Sequence, residues 1–179
     1  MQINKETAEN VAECLLQIKA IELNNIQPFT WASGWKSPIY CDNRKTLSYP
    51  KVRTFIRQKY VETIQEEFGE IDVIAGVATG GIAQAALIAQ EMELPLIYVR
   101  SSTKGHGLQN RVEGAFQTGQ RVVVIEDLIS TGMSSSRAVE ALREKGCQVA
   151  GMVAIFSYGF ETAANNFKKY SCPLYTCLL

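Results

Sequence analysis

The sequence predicts an α/β fold in which a doubly wound, mostly parallel sheet carries helices on both faces. Three observations predict it. Val122–Ile125 is an uninterrupted apolar run, the pattern of a strand buried on both faces. Val73–Val77 is a second such run, leading through Ala78-Thr79-Gly80-Gly81 into a helical pattern at 82–91. From Val73 onward strand and helix patterns alternate, which is how parallel strands joined by crossover helices read in sequence.

Taken in order, Asn4 is placed to cap a first helix running to about Ile21, with Ala8, Val11, Leu15 and Ile18 on one stripe. From Gln27 to Arg44 the helical period disappears, and Pro, Gly and aromatic residues take over, both tryptophans among them. That composition fits an irregular loop with two hydrophobic anchors, and equally a flap whose flat side chains cover a planar ligand. Ser48 and Pro50 start a second helix through Val52, Phe55, Ile56, Val61 and Ile64 to Phe68, with Gly69 as its stop. After the strand at 73–77 and the helix at 82–91, Pro95 precedes a strand at 96–99. Arg100 to Gly114 then has no hydrophobic period, several glycines, and the cations Arg100, Lys104 and Arg111 around the single histidine, His106. A solvated loop has that composition. Beyond the central run, a helix from Ser134 to Lys145 is closed by Gly146, and a strand at 149–156, a short helix near 162–170 and a strand at 173–178 follow.

The chemistry concentrates behind the central run. The strand is expected to stop at Glu126 and Asp127, the carboxyl end where open α/β sheets hold ligands. Ser130, Thr131, Gly132 and Ser134 then open the next helix, so backbone N–H groups, hydroxyls and the positive end of the helix dipole can converge on one anion. Adjacent carboxylates accept hydrogen bonds from a vicinal diol, and the turn suits a phosphate; together they suggest a ribose 5-phosphate. An acidic strand end followed by an ordinary helix cap is the plainer reading of either half alone. No Gly-Lys-Ser/Thr follows the turn, so it is not a Walker loop, and no Gly-x-Gly-x-x-Gly opens a helix. The turn at Thr79 and Gly80 is a second place where backbone can approach an anion closely.

The chain has 179 residues and formal net charge +0. Such a length fits one domain, 1–179, and a polyanion partner such as nucleic acid is not expected. A polar N-terminus without an apolar leader, and no apolar run of about 18 residues, give the expectation of a soluble, cytoplasmic protein that does not enter membranes. Five scattered cysteines without a Cys-x-x-Cys argue against a disulfide framework and a zinc site, and one histidine excludes a His-based metal cluster.

The fused order of apolar strand, Glu126-Asp127, two apolar residues and Ser130-Thr131-Gly132 resembles the phosphoribosyl pyrophosphate (PRPP) motif of the type I phosphoribosyltransferases. Ser33-Gly34 followed by Ser37-Pro38-x-Tyr40 and Asp42 is similar to the hood segment of orotate phosphoribosyltransferases, and Lys104-x-His106 resembles the basic pattern of their mobile catalytic loop. The resemblance implies a hood over about residues 1–45 and a core from about 46. It implies transfer of the phosphoribosyl group from PRPP to orotate in pyrimidine nucleotide synthesis, with Mg²⁺ held through the substrate and no direct metal ligand. Lys104, His106 and Asp127 are the implied catalytic residues. Contact to PRPP is implied for Arg100, Lys104, His106, Thr79, Gly80 and the run Glu126, Asp127, Leu128, Ile129, Ser130, Thr131, Gly132, Met133 and Ser134. Contact to orotate is implied for Ser130, Ser33, Gly34 and Tyr40. A homodimer with shared sites is a further implication. The sequence departs from some members in having Gly80 where they carry a lysine, Ser101 where they carry a second lysine, and no arginine after the strand at 149–156. Members of this kind usually continue for one more helix. A transferase for another base, or a regulator that binds PRPP without catalysis, remains an alternative.

Overall fold

The computed structural model describes residues 3–31, 34–100 and 111–179. Helix α1 is Lys5–Gln17, and the Asn4 side chain accepts a hydrogen bond from Thr7 N at 2.7 Å, as a helix cap does. It stops short of Ile21 because the chain turns at Lys19, in a left-handed conformation, to enter strand β1, Ile21–Leu23. Strands β2 (Phe29–Thr30), β3 (Lys36–Ser37) and β4 (Ile39–Cys41) follow. They form two antiparallel ribbons, β1 with β4 and β2 with β3. A 3₁₀ turn at Asn43–Ser48 leads into α2, Pro50–Phe68, which has proline in its first turn and Gly69 as its end.

Strand β5 (Val73–Val77), helix α3 (Gly80–Glu91), strand β6 (Leu96–Val99) and the short β7 (Val112–Glu113) come next. Then come β8 (Arg121–Ile129), α4 (Met133–Glu144), β9 (Gln148–Ser157), α5 (Glu161–Lys169) and β10 (Leu174–Leu178). The sheet order is β10-β9-β8-β5-β6-β7. All neighbours are parallel except β6 and β7, the antiparallel pair at the sheet edge; of these, β6 is the expected strand at 96–99, and β7 lies in the stretch from Arg100 to Gly114 that was expected to be a loop. The expected mostly parallel sheet flanked by helices is present.

The two faces follow from strand alternation. Ile74, Val123 and Ile125 point into one core with residues of α1, α2 and α3, while Val73, Val122 and Val124 point into the other with residues of α4 and α5. Val11, Leu15 and Ile18 of α1 lie in the first core, beside Ile56 and Tyr60. Within the first ~45 residues, α1 is therefore sheet-covering scaffold, and the two ribbons occupy the rest of the expected hood segment.

The structure corrects one expectation about the central strand. It does not stop at Glu126 and Asp127: pairing with β9 continues through Leu128↔Phe156 and Ile129↔Ser157. Leu128 and Ile129 supply apolar contacts where β9 is still long enough to pair, so the acids sit inside the last turn of strand rather than beyond it.

Candidate active site

Strand order reverses between β5, whose crossover leads outward to β6, and β8, whose crossover leads the other way to β9. The carboxyl ends of β5 and β8 therefore flank a crevice, the usual ligand position of an open α/β sheet. A cleft of about 910 Å³ opens there. It is lined by Thr79, Gly80, Asp127 and the turn Ser130–Ser134, by Trp31, Trp35 and Tyr40 from the N-terminal ribbons, and by Tyr158 at the end of β9.

The two acids have different surroundings, because neighbouring strand residues face opposite ways. Glu126 is only 5% exposed. Its Oε2 accepts from Ser135 Oγ of α4 at 3.1 Å, and its Oε1 accepts from Asp127 N at 3.1 Å. Burial, and then the charge of Asp127, push the Glu126 carboxyl well above its ordinary range. Asp127 turns toward α3 and the cleft, and its backbone is fixed by Asn43 Nδ2 donating to Asp127 O at 2.7 Å. Tyr60 Oη donates to Glu126 O at 2.6 Å from the opposite face. The acidic segment is thus held from two elements, α2 and the 3₁₀ turn, neither of which the sequence had tied to it.

A raised native pKa means that the neutral Glu126 side chain favours folding. That contribution is complete below the ordinary value of 4.5 and is lost as pH rises toward and through the native value. Glu126→Gln imitates the neutral form and is expected to melt at nearly the same temperature as the parent near pH 4. It should melt higher than the parent at pH 8; a parent with the same pH profile as the variant would contradict the assignment.

The turn after β8 owes its shape to α5. Gly132 has φ 75, a left-handed conformation that favours glycine, and a Cβ there would lie 3.0 Å from the Phe167 ring. Asn166 Nδ2 donates to Thr131 O at 2.8 Å. Gly132 is therefore buried against α5 rather than exposed, and a β-branched residue at 132 would strain the fold as well as the turn. The first N–H groups of α4 have no intrahelical acceptor and begin at this turn. Ser130 Oγ is buried without a hydrogen-bond partner among the described residues. Leaving such a hydroxyl unpaired costs about 1–3 kcal/mol, and a bound anion would relieve it. Ser130→Ala should consequently keep or slightly raise the melting temperature while raising KM for PRPP roughly tenfold or more. A lowered melting temperature with unchanged KM would make Ser130 structural.

Glycines 80 and 81 answer first to β8. A Cβ on Gly80 would lie 2.2 Å from Asp127 Oδ2, and one on Gly81 would lie 2.4 Å from Ile125 O. The paired glycines let α3 start against the acidic strand end.

Of the residues singled out in the sequence, Tyr40, Thr79, Gly80, Glu126, Asp127, Leu128, Ser130, Thr131, Gly132, Met133 and Ser134 line the cleft. Ile129 does not: its side chain is fully buried in the core under α4 and α5, and only its carbonyl is used, accepting from Tyr158 N. Gly34 closes the β2–β3 turn, its N–H bonded to Trp31 O, away from the cleft wall. Arg100 lines a separate cavity of about 50 Å³ with Arg111 and Arg137, bounded by Val77, Ala78 and Ser134, which the main cleft also touches. Lys104, His106 and Ser33 lie outside the described residues. Arg44, Arg137 and Tyr158 were not marked by sequence as cleft residues. Arg44 directly follows the hood motif, and Tyr158 occupies the position after β9 where an arginine was noted missing. Cys41 also lines the cleft, but burial pushes its thiol up to about 12, so it is not poised as a nucleophile. Among the described residues no group of three or more His, Cys, Asp or Glu side chains could hold a metal ion, and no helix is long and apolar enough to cross a membrane.

Comparison with known proteins agrees with this geometry. Residues 46–176 match the model of the phosphoribosyl transferase domain. The chain is 59% identical over 165 residues to the orotate phosphoribosyltransferase of Phocaeicola vulgatus, covering 92% of this chain and 78% of the relative. It is 54% identical over 176 residues to that of Listeria innocua, covering 98% and 82%. The crystal structure of orotate phosphoribosyltransferase from Aeropyrum pernix superposes with TM-score 0.81 at 31% identity, covering 93% of both chains. A central parallel sheet with this acidic strand end and turn, a family match over the core, and relatives above half identity lead to one conclusion: the chain belongs to the phosphoribosyltransferase family and, within it, to the orotate phosphoribosyltransferases.

Proposed function

We propose that this chain transfers the 5-phosphoribosyl group of PRPP to orotate, giving orotidine 5′-phosphate and pyrophosphate, in the cytoplasmic synthesis of pyrimidine nucleotides. The observation that carries this is the placement of the Asp127 carboxylate, the anion-ready turn at 130–134 and the aromatic hood around one cleft. The 5-phosphate is held by the turn, with Ser130 Oγ as one donor, so binding energy far from the reacting carbon orients it. The ribose hydroxyls donate to Asp127, and positive charge developing on the ribose ring is stabilised by the same carboxylate. The planar base lies under Trp31, Trp35 and Tyr40. Pyrophosphate departs toward Arg137 and Arg100, with Lys104 and His106 as the further groups that stabilise its charge.

A hard cation that keeps several waters suits a cleft lined by Asp42, Glu126 and Asp127 that takes an oxygen-rich substrate. Mg²⁺ would be held there chiefly through PRPP, with Asp127 at hand, and when bound would offset charge on the leaving pyrophosphate. The protein acts as a homodimer in which each loop serves the neighbouring site.

Loss of orotate absorbance in the presence of PRPP and Mg²⁺ tests the activity. Turnover of orotate, abolished by chelation and far exceeding that of adenine, hypoxanthine or uracil, is expected. Faster turnover of another base would reassign the substrate. Tight PRPP binding with no turnover of any base would leave a regulator.

A further inference from the structure

We propose that the Arg44 guanidinium receives the carboxylate of the pyrimidine substrate and thereby sets the preference for an acidic base over an uncharged one. This rests on the reading of the cleft as an orotate site and adds the residue that makes the choice. The charged residues lining the cleft, among those described, are Asp42, Glu126, Asp127, Arg44 and Arg137. A base bearing a carboxylate must therefore find one of two cations while three acids stand nearby. Arg137 sits on α4 beside Ser134 and shares the small cavity with Arg100 and Arg111, which commits it to the phosphate side. Arg44 follows β4, reaches Tyr40 and lines the cleft together with Trp31 and Trp35, and it takes no part in the small cavity.

The guanidinium is already aimed. Arg44 Nε donates to Asp42 Oδ1 at 2.6 Å, and Arg44 Nη2 lies 3.5 Å from Tyr40 Oη. Arg44 N donates to the same Asp42 oxygen at 3.3 Å, so side chain and backbone are tied to one carboxylate. Hydrogen bonding from Arg44 holds the Asp42 carboxyl below its ordinary range, so the tether persists in mildly acidic solution. With Nε engaged, the terminal amino groups remain for an end-on carboxylate, the planar two-point contact for which arginine is suited and lysine is not. The side chain is 58% exposed, so a ligand can reach it.

The aromatic surfaces that would flank the ring lie on the same wall and are themselves fixed. Trp31 Nε1 donates to Ile39 O at 3.1 Å and its ring lies 4.2 Å from that of Tyr158, while Tyr40 leans on Phe29 at 5.4 Å. The end of β9 offers the phenol of Tyr158 rather than a cation, so no second charge competes for the carboxylate from that side.

The test compares the parent with Arg44→Gln and Arg44→Lys, each checked by thermal melting. KM is measured for orotate and for PRPP, and tryptophan fluorescence is titrated with orotate and with uracil. Arg44→Gln is expected to raise KM for orotate roughly 10- to 100-fold, as loss of a charged hydrogen-bond pair does, and to leave KM for PRPP within about twofold. The preference for orotate over uracil in the fluorescence titration should fall by a similar factor. Arg44→Lys should recover only part of it. A folded Arg44→Gln protein with undiminished preference for orotate, or with the defect confined to PRPP, would overturn the proposal while leaving orotate transfer intact. A parent that neither binds nor turns over orotate would instead overturn the reading of the site, and this proposal with it.

Discussion

Gly80→Ala is expected to lower kcat/KM by roughly two orders of magnitude or more, the scale of an approximately 1 Å misplacement of a reacting group. The added Cβ would stand 2.2 Å from Asp127 Oδ2 and 2.4 Å from Asp127 Cγ, inside any tolerable contact. The main chain of Asp127 cannot yield, because Asn43 and the β9 ladder hold it. The carboxylate must therefore rotate away from the position proposed to receive the ribose hydroxyls. Stability should change little, since Gly80 is the first residue of α3 with no left-handed φ, and alanine is the better helix former. Kinetics and thermal melting on the same preparation check this. A folded variant with parental kcat/KM would show that Asp127 need not occupy its present position.

Lys104→Ala is expected to lower kcat by about 10²- to 10³-fold with a much smaller change in KM, as the proposed role of Lys104 toward the departing pyrophosphate in the transition state requires. An effect on KM alone would make it a ground-state anchor. The same variant tests the proposed shared site. Mixed with inactive Asp127→Asn after reversible dissociation, it gives dimers of which about half are mixed, each with one site intact if loops cross the interface. Recovery of roughly a quarter of parental activity is then expected. No recovery, in a mixture shown by mass analysis to contain heterodimers, would place each loop over its own site.

Much of the sheet was legible because Val122–Ile125 and Val73–Val77 are buried on both faces, which leaves an unbroken apolar signature. The strand end was misplaced because acids read as a stop, whereas pairing length is set by the partner: β9 extends to Ser157 and carries β8 with it to Ile129. The hood ribbons have two- or three-residue strands, too short for any alternation to register. The unequal surroundings of Glu126 and Asp127 were implicit in their adjacency on a strand, but which one is buried against α4 depends on where the helices lie. Arg44 and Tyr158 reach the cleft through tertiary placement of the hood and of β9, and no local spacing announces that.

A crystal structure with orotidine 5′-phosphate bound tests the central claim most directly. The account predicts the phosphate within hydrogen-bond distance of Ser130 Oγ and the first N–H groups of α4, the ribose hydroxyls on Asp127, and the pyrimidine under the hood tryptophans with its carboxylate toward Arg44. Nucleotide bound with its phosphate in the Arg100–Arg111–Arg137 cavity, or with the pyrimidine away from the hood, would contradict it.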